Sequence, residues 1–224
     1  MNNQHVFLSR LQDAAASLQL TLTSQQEETL LKYLDQLQRW NRTYNLTAIR
    51  EPEQMLVQHI FDSLAIVPKV IAKLGNTPVS AKIVDVGSGA GLPGVVLAAV
   101  LPHASIHCVD TVEKKATFIR YVSGVLRLPN LQAHHARIEE LPPFEADIVV
   151  SRAFASLEDF AKLGGGHVAD GGNMLAMKGR EPLEEVDALQ ETTSWRVAKV
   201  DPLQVPEMDA QRCLVWLTNK ESHE

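Results

Sequence analysis

The sequence predicts an α/β fold in which a mostly parallel sheet follows a helical amino-terminal lobe. Residues 1–75 carry apolar side chains at helical spacing, whereas residues 82–190 alternate short apolar runs with helical stretches. Such alternation is typical of a parallel sheet with right-handed crossovers. Two β-rich runs within residues 195–218 have no helix between them and indicate an antiparallel pair at one edge. We therefore divide the chain into a helical lobe, residues 1–75, and a sheet domain, residues 76–224.

Three helices are predicted for the lobe. Leucine and alanine recur at helical spacing over residues 8–18, which predicts the first helix. Thr23 and Gln26 have the spacing of a capping box and open a second helix, which should end near Trp40. A proline opens the third helix, over residues 52–67, and a second proline follows its predicted end.

Five parallel strands and four helices should follow, and then the antiparallel pair. The strands are placed at residues 82–86, 105–110, 131–135, 147–150 and 173–178. The helices are placed at residues 93–101, 113–126, 157–163 and 181–190, and the edge pair at residues 195–200 and 213–218. The near-continuous apolar strands indicate a sheet that is covered on both faces. Ligands of such sheets bind at the carboxyl ends of the strands.

Composition excludes several classes of protein. The 224 residues are 45% hydrophobic and 21% charged, which excludes wholesale disorder. Cys108 and Cys213 support neither a disulfide framework nor a cysteine metal site, and no group of histidines has metal-ligand spacing. The longest apolar runs, such as residues 95–101, are too short to span a bilayer, and the amino terminus has no signal-peptide pattern. We expect a cytoplasmic monomer that uses no metal.

The net charge of −6 argues at first against a nucleic-acid partner. The excess acid, however, lies entirely in residues 181–224, which hold 10 acidic and 4 basic residues. Two stretches, residues 36–50 and 114–137, contain basic residues and no acidic ones. These stretches fit an RNA-binding surface and equally fit ordinary solvated faces whose acidic partners lie elsewhere in space.

The most informative segment is a strand that runs into a glycine-rich turn and a helix start, Lys82-Ile-Val-Asp-Val-Gly-Ser-Gly-Ala-Gly-Leu-Pro-Gly94. Glycines permit close backbone approach to a ligand, and the helix start favours an anionic group. The turn formally satisfies the spacing of NAD sites, and Asp110 ends the next strand where a ribose-binding acid belongs. Asp85 argues against a dehydrogenase, because an acid at this place suits a ligand with an ammonium group. The alternatives without a ligand are a purely turn-forming role for the glycines and a helix-capping role for Asp110.

Two resemblances extend this interpretation. The string Asp85-x-Gly87-x-Gly89-x-Gly91 resembles the cofactor motif of S-adenosylmethionine methyltransferases, in which an acid at the end of the second strand binds both ribose hydroxyls. The wider sequence resembles the RsmG family, also called GidB, of bacterial small-subunit ribosomal RNA methyltransferases. The matching segments are residues 40–49, 59–64, 87–94, 151–155 and 178–179.

The resemblance implies a class I S-adenosylmethionine-dependent methyltransferase with a Rossmann-like sheet. The implied reaction transfers a methyl group to N7 of a guanine in the 530 loop of 16S rRNA, position 527, in free RNA or in the small ribosomal subunit. The cofactor-binding residues, from the motif and the resemblance together, are Asp85, Gly87, Gly89, Leu92, Asp110, Ile138, Glu139 and Arg152. Many methyltransferases of exocyclic amines carry an Asn/Asp-Pro-Pro-Tyr box after the fourth strand. Here Ser-Arg-Ala-Phe stands at residues 151–154, so methylation of an amino group is disfavoured.

Substrate-side residues follow from their positions in the predicted sheet. Arg152 and Lys178 come after the fourth and fifth strands and are predicted to position the target base, although ion pairing within the protein is the alternative. No general base is expected, because guanine N7 carries a lone pair and no proton. Asn41 and Asn45 lie in a stretch too polar for the core and are predicted to line the mouth of the site. The aromatic candidates for stacking on the base are Trp40, Tyr44 and Phe154.

Other functions stay open at this point. A small-molecule or protein methyltransferase is favoured if the helical lobe closes over the site as a lid. A non-catalytic ribosome-assembly factor would bind the cofactor weakly or not at all. A hydrolase built on Ser151 and His59 is disfavoured, because no third member of a triad has diagnostic spacing.

Overall fold

A computed structural model describes residues 3–75, 81–152, 154 and 156–220. Within these residues the strands are β1 (Lys82–Val86), β2 (Ser105–Asp110), β3 (Leu131–His135), β4 (Ala146–Ser151), β5 (Val168–Lys178), β6 (Trp195–Leu203) and β7 (Arg212–Asn219). The helices are α1 (Asn3–Ser17), α2 (Ser24–Tyr44), α3 (Pro52–Met55), α4 (Asp62–Leu64), α5 (Val67–Leu74), α6 (Gly94–Val100), α7 (Glu113–Val125), α8 (Leu157–Gly164) and α9 (Val186–Thr192). A π-helical segment, Leu56–Phe61, joins α3 to α4, and 3₁₀ turns lie at Ile138–Glu140, Gly165–His167 and Leu183–Glu185.

The strands form one sheet in the order β3-β2-β1-β4-β5-β7-β6. Strands β1 to β5 are parallel, and β7 runs antiparallel to both β5 and β6. The predicted Rossmann-like sheet with an antiparallel edge is therefore confirmed. The strand order reverses between β1 and β4, and this reversal opens a crevice at the carboxyl ends of the strands.

Backbone groups at both ends of helix α2 are hydrogen-bonded. The Thr23 hydroxyl accepts a hydrogen bond from the Gln26 N–H, and the Gln26 side chain accepts one from the Thr23 N–H, which confirms the predicted capping box. The sequence predicts an end near Trp40, but the helix continues for another turn. It stops where Asn45 adopts the left-handed conformation, with φ 48°, and donates its N–H to the Asn41 carbonyl.

The next helical run, residues 52–64, is interrupted by its π-helical middle. Pro52 opens the run, as predicted. Pro68 follows the end of a helix, as predicted, but that helix ends at Leu64, three residues before the predicted end, and Pro68 belongs to the next helix. Helix α5 begins at Val67 with Pro68 in its first turn, where the N–H that proline lacks would have had no helical partner.

Two apolar clusters cover the two faces of the sheet. The larger one joins residues of α1, α2 and the 52–74 region to α6, α7 and one face of the sheet. The smaller one packs α8 and α9 against the opposite face. The division of the chain at residue 75 stays a prediction, and the lobe shares its core with the sheet. Within the described residues, the helical stretch Pro52–Leu74 is long and apolar enough to cross a membrane. Of its 18 most apolar consecutive residues, however, 67% are buried inside the protein, as in a core helix.

Candidate active site

The turn after β1 lies at the crevice. Gly87, with φ 68°, donates its N–H to the Val109 carbonyl at 2.9 Å, which ties the turn to the end of β2. Gly94 opens α6 in close contact with the sheet, since a Cβ there would collide with the Cys108 sulfur and the Asp85 carboxylate. The turn is thus fixed by the strand ends on which it rests.

Asp85, in strand β1, supports the turn through a hydrogen bond to Gly94. Its side chain is fully buried, and Oδ2 accepts the Gly94 N–H at 2.7 Å, whereas Oδ1 has no hydrogen-bond partner among the described residues. Burial raises the pKa of the Asp85 carboxyl to about 7, although the Gly94 hydrogen bond acts in the opposite direction. Direct contact of Asp85 with the cofactor stays a prediction, and in this structure the residue supports the turn.

The raised pKa of Asp85 makes the stability of the cofactor-free protein depend on pH. The Asp85 carboxyl binds its proton more tightly in the folded state than in the unfolded state, where its pKa is near 3.8. Its contribution to the free energy of unfolding should therefore fall as the pH rises from about 4 to about 7, and should be constant above that range. Asp85→Asn keeps an oxygen for the Gly94 N–H but does not titrate. The stability difference between Asp85→Asn and the parent should move in favour of the variant by up to about 1.4 kcal/mol per pH unit. Denaturant unfolding at pH 5, 6 and 8 measures it, and a difference that is constant with pH would contradict it.

A cleft of about 320 Å³, here called the cofactor cleft, opens beside the turn. Its lining residues are Val86, Gly87, Val109, Asp110, Thr111, Val112, Lys115, Ala136, Arg137, Ile138, Glu139, Phe154 and Leu163. The Asp110 carboxylate accepts the Gly89 N–H through Oδ2 and the Val112 N–H through Oδ1, both at 2.8 Å. These bonds hold an acid at the centre of the cleft between the turn and α7.

Four of the predicted cofactor residues, Gly87, Asp110, Ile138 and Glu139, line this cleft. The other four, Asp85, Gly89, Leu92 and Arg152, are not among its lining residues. Gly89 acts on the cleft through its hydrogen bond to Asp110, and Leu92 is buried behind the turn. Arg152 lies in the neighbouring clefts described next.

A second cleft, of about 330 Å³ and here called the cationic cleft, lies further along the same edge of the sheet. Arg152 donates through Nη1 to the Asp62 carboxylate at 3.2 Å and to the Gln58 carbonyl at 3.1 Å. Arg212, the first residue of β7, donates through Nε to the other Asp62 oxygen at 3.2 Å. Asp62 is buried and both arginines are partly exposed, so one carboxylate holds two guanidinium groups at the cleft.

Lys178 completes the positive charge at this edge. Its Nζ contacts the Glu185 carboxylate at 2.9 Å and the Phe154 carbonyl at 3.4 Å, and its side chain is only 12% exposed. The predicted alternative of ion pairing within the protein is therefore found for Lys178, whose ammonium group is fixed by Glu185. Glu185 also accepts the Leu157 N–H at 2.6 Å, so the pair fixes the start of α8.

A groove lined by Arg152, Phe154 and residues 177–185 shares lining residues with both clefts. Phe154 lines both this groove and the cofactor cleft, whereas Arg152 and Lys178 line both the groove and the cationic cleft. The three cavities thus form one series along the carboxyl edge of the sheet.

The two asparagines predicted to line the mouth have different surroundings. Asn41 is buried, donates to the Ile49 carbonyl at 3.0 Å and accepts the Thr47 N–H at 2.9 Å. These bonds fold the loop after α2, a role that the polar composition of the stretch did not reveal. Asn45 is exposed and accepts a hydrogen bond from Arg50 at 3.3 Å. Substrate contact by either residue stays a prediction.

His59 lies in the π-helical segment and lines the cationic cleft. It is buried, and its Nε2 lies 3.0 Å from the Thr47 hydroxyl. Burial, with the Arg152 charge as a second cause, lowers the pKa of His59 to about 4. The imidazole is therefore neutral at physiological pH and adds no positive charge to the cleft.

Comparison with known protein families identifies the family to which this chain belongs. The sequence pattern of the family described as "rRNA small subunit methyltransferase G" matches residues 26–215, which include every residue of the clefts named above. The chain belongs to the rRNA small subunit methyltransferase G family. This confirms the RsmG, or GidB, resemblance found in the sequence.

Curated members of the rRNA small subunit methyltransferase G family are similar over nearly their whole length. The protein of this name from Bordetella avium is 57% identical over 93% of this chain and 92% of its own. The one from Bordetella pertussis is 53% identical over 96% and 94%, and the one from Methylibium petroleiphilum is 49% identical over 94% and 93%.

Solved structures confirm the fold that the family implies. An S-adenosylmethionine-dependent methyltransferase from Aquifex aeolicus superposes with a TM-score of 0.54 at 18% identity, covering 75% of this chain and 93% of the other. TYW2 from Pyrococcus horikoshii, in complex with MeSAdo, superposes with a TM-score of 0.52 at 14% identity, covering 70% and 64%. The chain therefore has the class I methyltransferase fold.

The cofactor of this member of the rRNA small subunit methyltransferase G family is S-adenosylmethionine. The cofactor cleft fits it on physical grounds. Val112, Ile138 and Leu163 offer apolar walls for an adenine ring, and Asp110 offers carboxylate oxygens for hydroxyl groups. Among the described residues, no group of three or more histidine, cysteine, aspartate or glutamate side chains is placed to hold a metal ion.

Sequence reasoning missed three residues of the site. Asp62 lies in the 59–64 segment that carried the family resemblance. That it accepts hydrogen bonds from two arginines, Arg152 and Arg212, becomes apparent only in the structure. Arg212 lies 150 positions away from Asp62 and had no motif to mark it. Glu185 lies in the acidic carboxyl-terminal part of the chain, and no motif marked it as a partner of Lys178.

Proposed function

We propose that this protein transfers the methyl group of S-adenosylmethionine to N7 of a guanine in the 530 loop of 16S rRNA, at position 527. It acts as a monomer in the cytoplasm, on the RNA or on the small ribosomal subunit. The observation that carries this proposal is the row of three neighbouring cavities, in which the groove shares Phe154 with the cofactor cleft and shares Arg152 and Lys178 with the cationic cleft.

The residues of the cofactor cleft orient the cofactor. Asp110 is held by two backbone N–H groups, so its carboxylate is fixed before the cofactor binds and accepts the ribose hydroxyls without rearrangement. Glu139 and the apolar face of Ile138 lie further along the cleft, where the adenine ring belongs. When bound, S-adenosylmethionine supplies a methyl group on a positively charged sulfonium.

The cationic cleft and the groove supply the place for the guanine nucleotide. Guanine carries the acceptor O6 beside N7, and its phosphates are negative, so the nucleotide suits a site bordered by Arg152, Arg212 and Lys178. These cations would hold O6 and phosphate, and N7 would keep its lone pair for the reaction. Arg152 is oriented by Asp62 and the Gln58 carbonyl, which fixes the plane of its guanidinium. Phe154, at the boundary of the two cavities, is placed to pack against a base that enters the groove.

The residues at this edge support transfer to a nitrogen that needs no deprotonation. Guanine N7 has an in-plane lone pair and no proton, so the site must align the base with the methyl group but needs no general base. Holding two reactants in line lowers a barrier by roughly 7 to 11 kcal/mol.

The test uses the chemistry of N7-methylguanine itself. Small ribosomal subunits from a bacterial strain that lacks its own enzyme of this family are incubated with the purified protein and S-adenosylmethionine. Borohydride reduction and aniline treatment then cleave the RNA at N7-methylguanine, and primer extension locates the break. We expect one new break at position 527 that requires both protein and cofactor.

Other results would replace the proposal. Methyl incorporation into RNA without aniline cleavage would indicate another atom of the base. Incorporation into ribosomal protein or a small molecule, with none in RNA, would indicate the rival methyltransferase class. Tight binding to subunits without any methyl transfer would indicate an assembly factor.

A further inference from the structure

A group of aromatic side chains lies at the surface between α2 and α7, outside the three cavities. The Trp40 ring centroid is 5.0 Å from that of Tyr44 and 5.1 Å from that of Tyr121, and the rings are tilted by 38° and 39°. Trp40 also packs on buried Phe118, at 5.4 Å. Tyr44 is 46% exposed and Tyr121 is 40% exposed. Two tyrosine rings therefore face solvent on a base of packed aromatic side chains.

This surface lies where the two basic stretches of the sequence meet. The Tyr121 hydroxyl donates to the Gln36 side chain at 3.2 Å, which joins α7 to α2 directly. Lys114 is exposed two helical turns before Tyr121, on the same side of α7. Arg39, paired with Asp35, and Arg42 are exposed on α2. Glu113 is the acid in the first turn of α7.

The aromatic surface is connected to the reaction site through the two helices that build it. The start of α7 borders the cofactor cleft, since Val112 and Lys115 line that cleft. Helix α2 passes the glycine turn, because the buried Tyr33 hydroxyl donates to the Ala90 carbonyl at 2.8 Å. The Trp40 and Tyr44 end of α2 therefore extends beyond the turn.

We propose that Tyr44 and Tyr121, supported by Trp40, form a stacking surface for unpaired RNA bases that flank the target nucleotide. Exposed rings beside cations are the recurring means of binding single-stranded RNA without reading its sequence, because every base has a flat face. This inference rests on the proposed function, in that the substrate is RNA. It adds a second contact region, separate from the pocket that receives the methylated base.

The experiment measures RNA affinity directly, without methyl transfer. The probe is a fluorescein-labelled single-stranded oligoadenylate, and its binding is followed by anisotropy at fixed salt with the whole chain. Stacking on one aromatic ring contributes about 5- to 150-fold in affinity, so the double variant Tyr44→Ala with Tyr121→Ala should bind at least about 20-fold more weakly. The double variant with phenylalanine at both positions keeps the rings and should bind like the parent.

Two controls keep the result interpretable. Val125→Ala changes another exposed apolar side chain of α7 and should leave RNA affinity unchanged. Affinity for S-adenosylmethionine should be the same in all variants, which shows that each is folded. Trp195 and Trp216 are buried, so quenching of tryptophan fluorescence by the oligonucleotide reports Trp40, and it should disappear in Trp40→Phe.

Unchanged oligoadenylate affinity in the double alanine variant would overturn the inference. Loss of binding to intact subunits, with oligoadenylate binding unchanged, would also overturn it and would point to a ribosomal protein as the partner of this surface. The inference and the proposed function fail separately. Methylation at another atom leaves the stacking result intact, whereas N7 methylation with full RNA affinity in the alanine variant removes only the stacking surface.

Discussion

Replacing Asp110 with alanine is expected to lower the affinity for S-adenosylmethionine by about 10²- to 10⁴-fold. Each ribose hydroxyl that donates to a charged acceptor contributes about 1.5 to 3 kcal/mol, and the role proposed for Asp110 is to accept from two of them. The carboxylate is fixed by the Gly89 and Val112 N–H groups, so none of this free energy is consumed in ordering the side chain. Isothermal titration calorimetry measures the change.

Two further variants make this prediction specific. Asp110→Asn keeps one acceptor oxygen and should show an intermediate loss. Glu139→Ala removes a carboxylate from the same cleft, but this side chain is 43% exposed, so the loss should be smaller. Circular dichroism must show that the Asp110→Ala protein is folded, since the residue also ties the turn to α7. Unaltered affinity, or tight binding of NADH by the parent protein, would contradict the assignment of the cleft.

Replacing Arg152 with alanine is expected to lower the single-turnover rate of methyl transfer by about 100-fold or more at saturating cofactor and subunit. Misplacement of a reacting group by about 1 Å can cost a factor of about 10². Arg152 lies at the junction of the groove and the cationic cleft, where its guanidinium is oriented by Asp62. Rapid-quench measurement with labelled cofactor gives the rate, and calorimetry gives the cofactor affinity.

Comparison variants separate positioning from charge. Arg152→Lys retains the charge but not the planar group, and it should recover only part of the rate. Asp62→Asn should also slow the reaction, because it weakens the contacts that orient both Arg152 and Arg212. Arg196→Ala, an exposed arginine on the edge strand β6, should have no effect. If Arg152→Ala weakened only RNA binding and left the saturated rate unchanged, Arg152 would be a simple phosphate contact.

Most of the fold could be predicted because the strands are short, apolar and separated by clear helical periodicity. The differences have local causes. Strand β5 begins at Val168, five residues before its predicted start, and contains Gly171 and Gly172, which lower the strand signal. The predicted helix over 181–190 begins instead as a 3₁₀ turn at Leu183, and α9 itself covers Val186–Thr192.

The site could be predicted where one motif places its residues on consecutive elements. Gly87 and Asp110 lie at the ends of adjacent parallel strands, so spacing along the chain was enough to bring them together. The Asp62, Arg152 and Arg212 group depends on a π-helical segment and on an antiparallel strand from the other end of the chain. Neither the π-helical segment nor the contact between Asp62 and the start of β7 leaves a periodic signal in the sequence.

The shared core of the helical lobe and the sheet restricts how this protein can change during evolution. Leu34, Leu37 and Phe61 belong to the same apolar cluster as Val95 and Ile119 of the sheet domain. In enzymes whose substrate-recognition domain is a separate unit, recombination can exchange that unit as a cassette. Here an exchanged lobe would leave an unmatched apolar face on α6 and α7. Substitution of exposed side chains avoids this packing cost, so the scaffold is expected to be inherited as one piece while its surface changes.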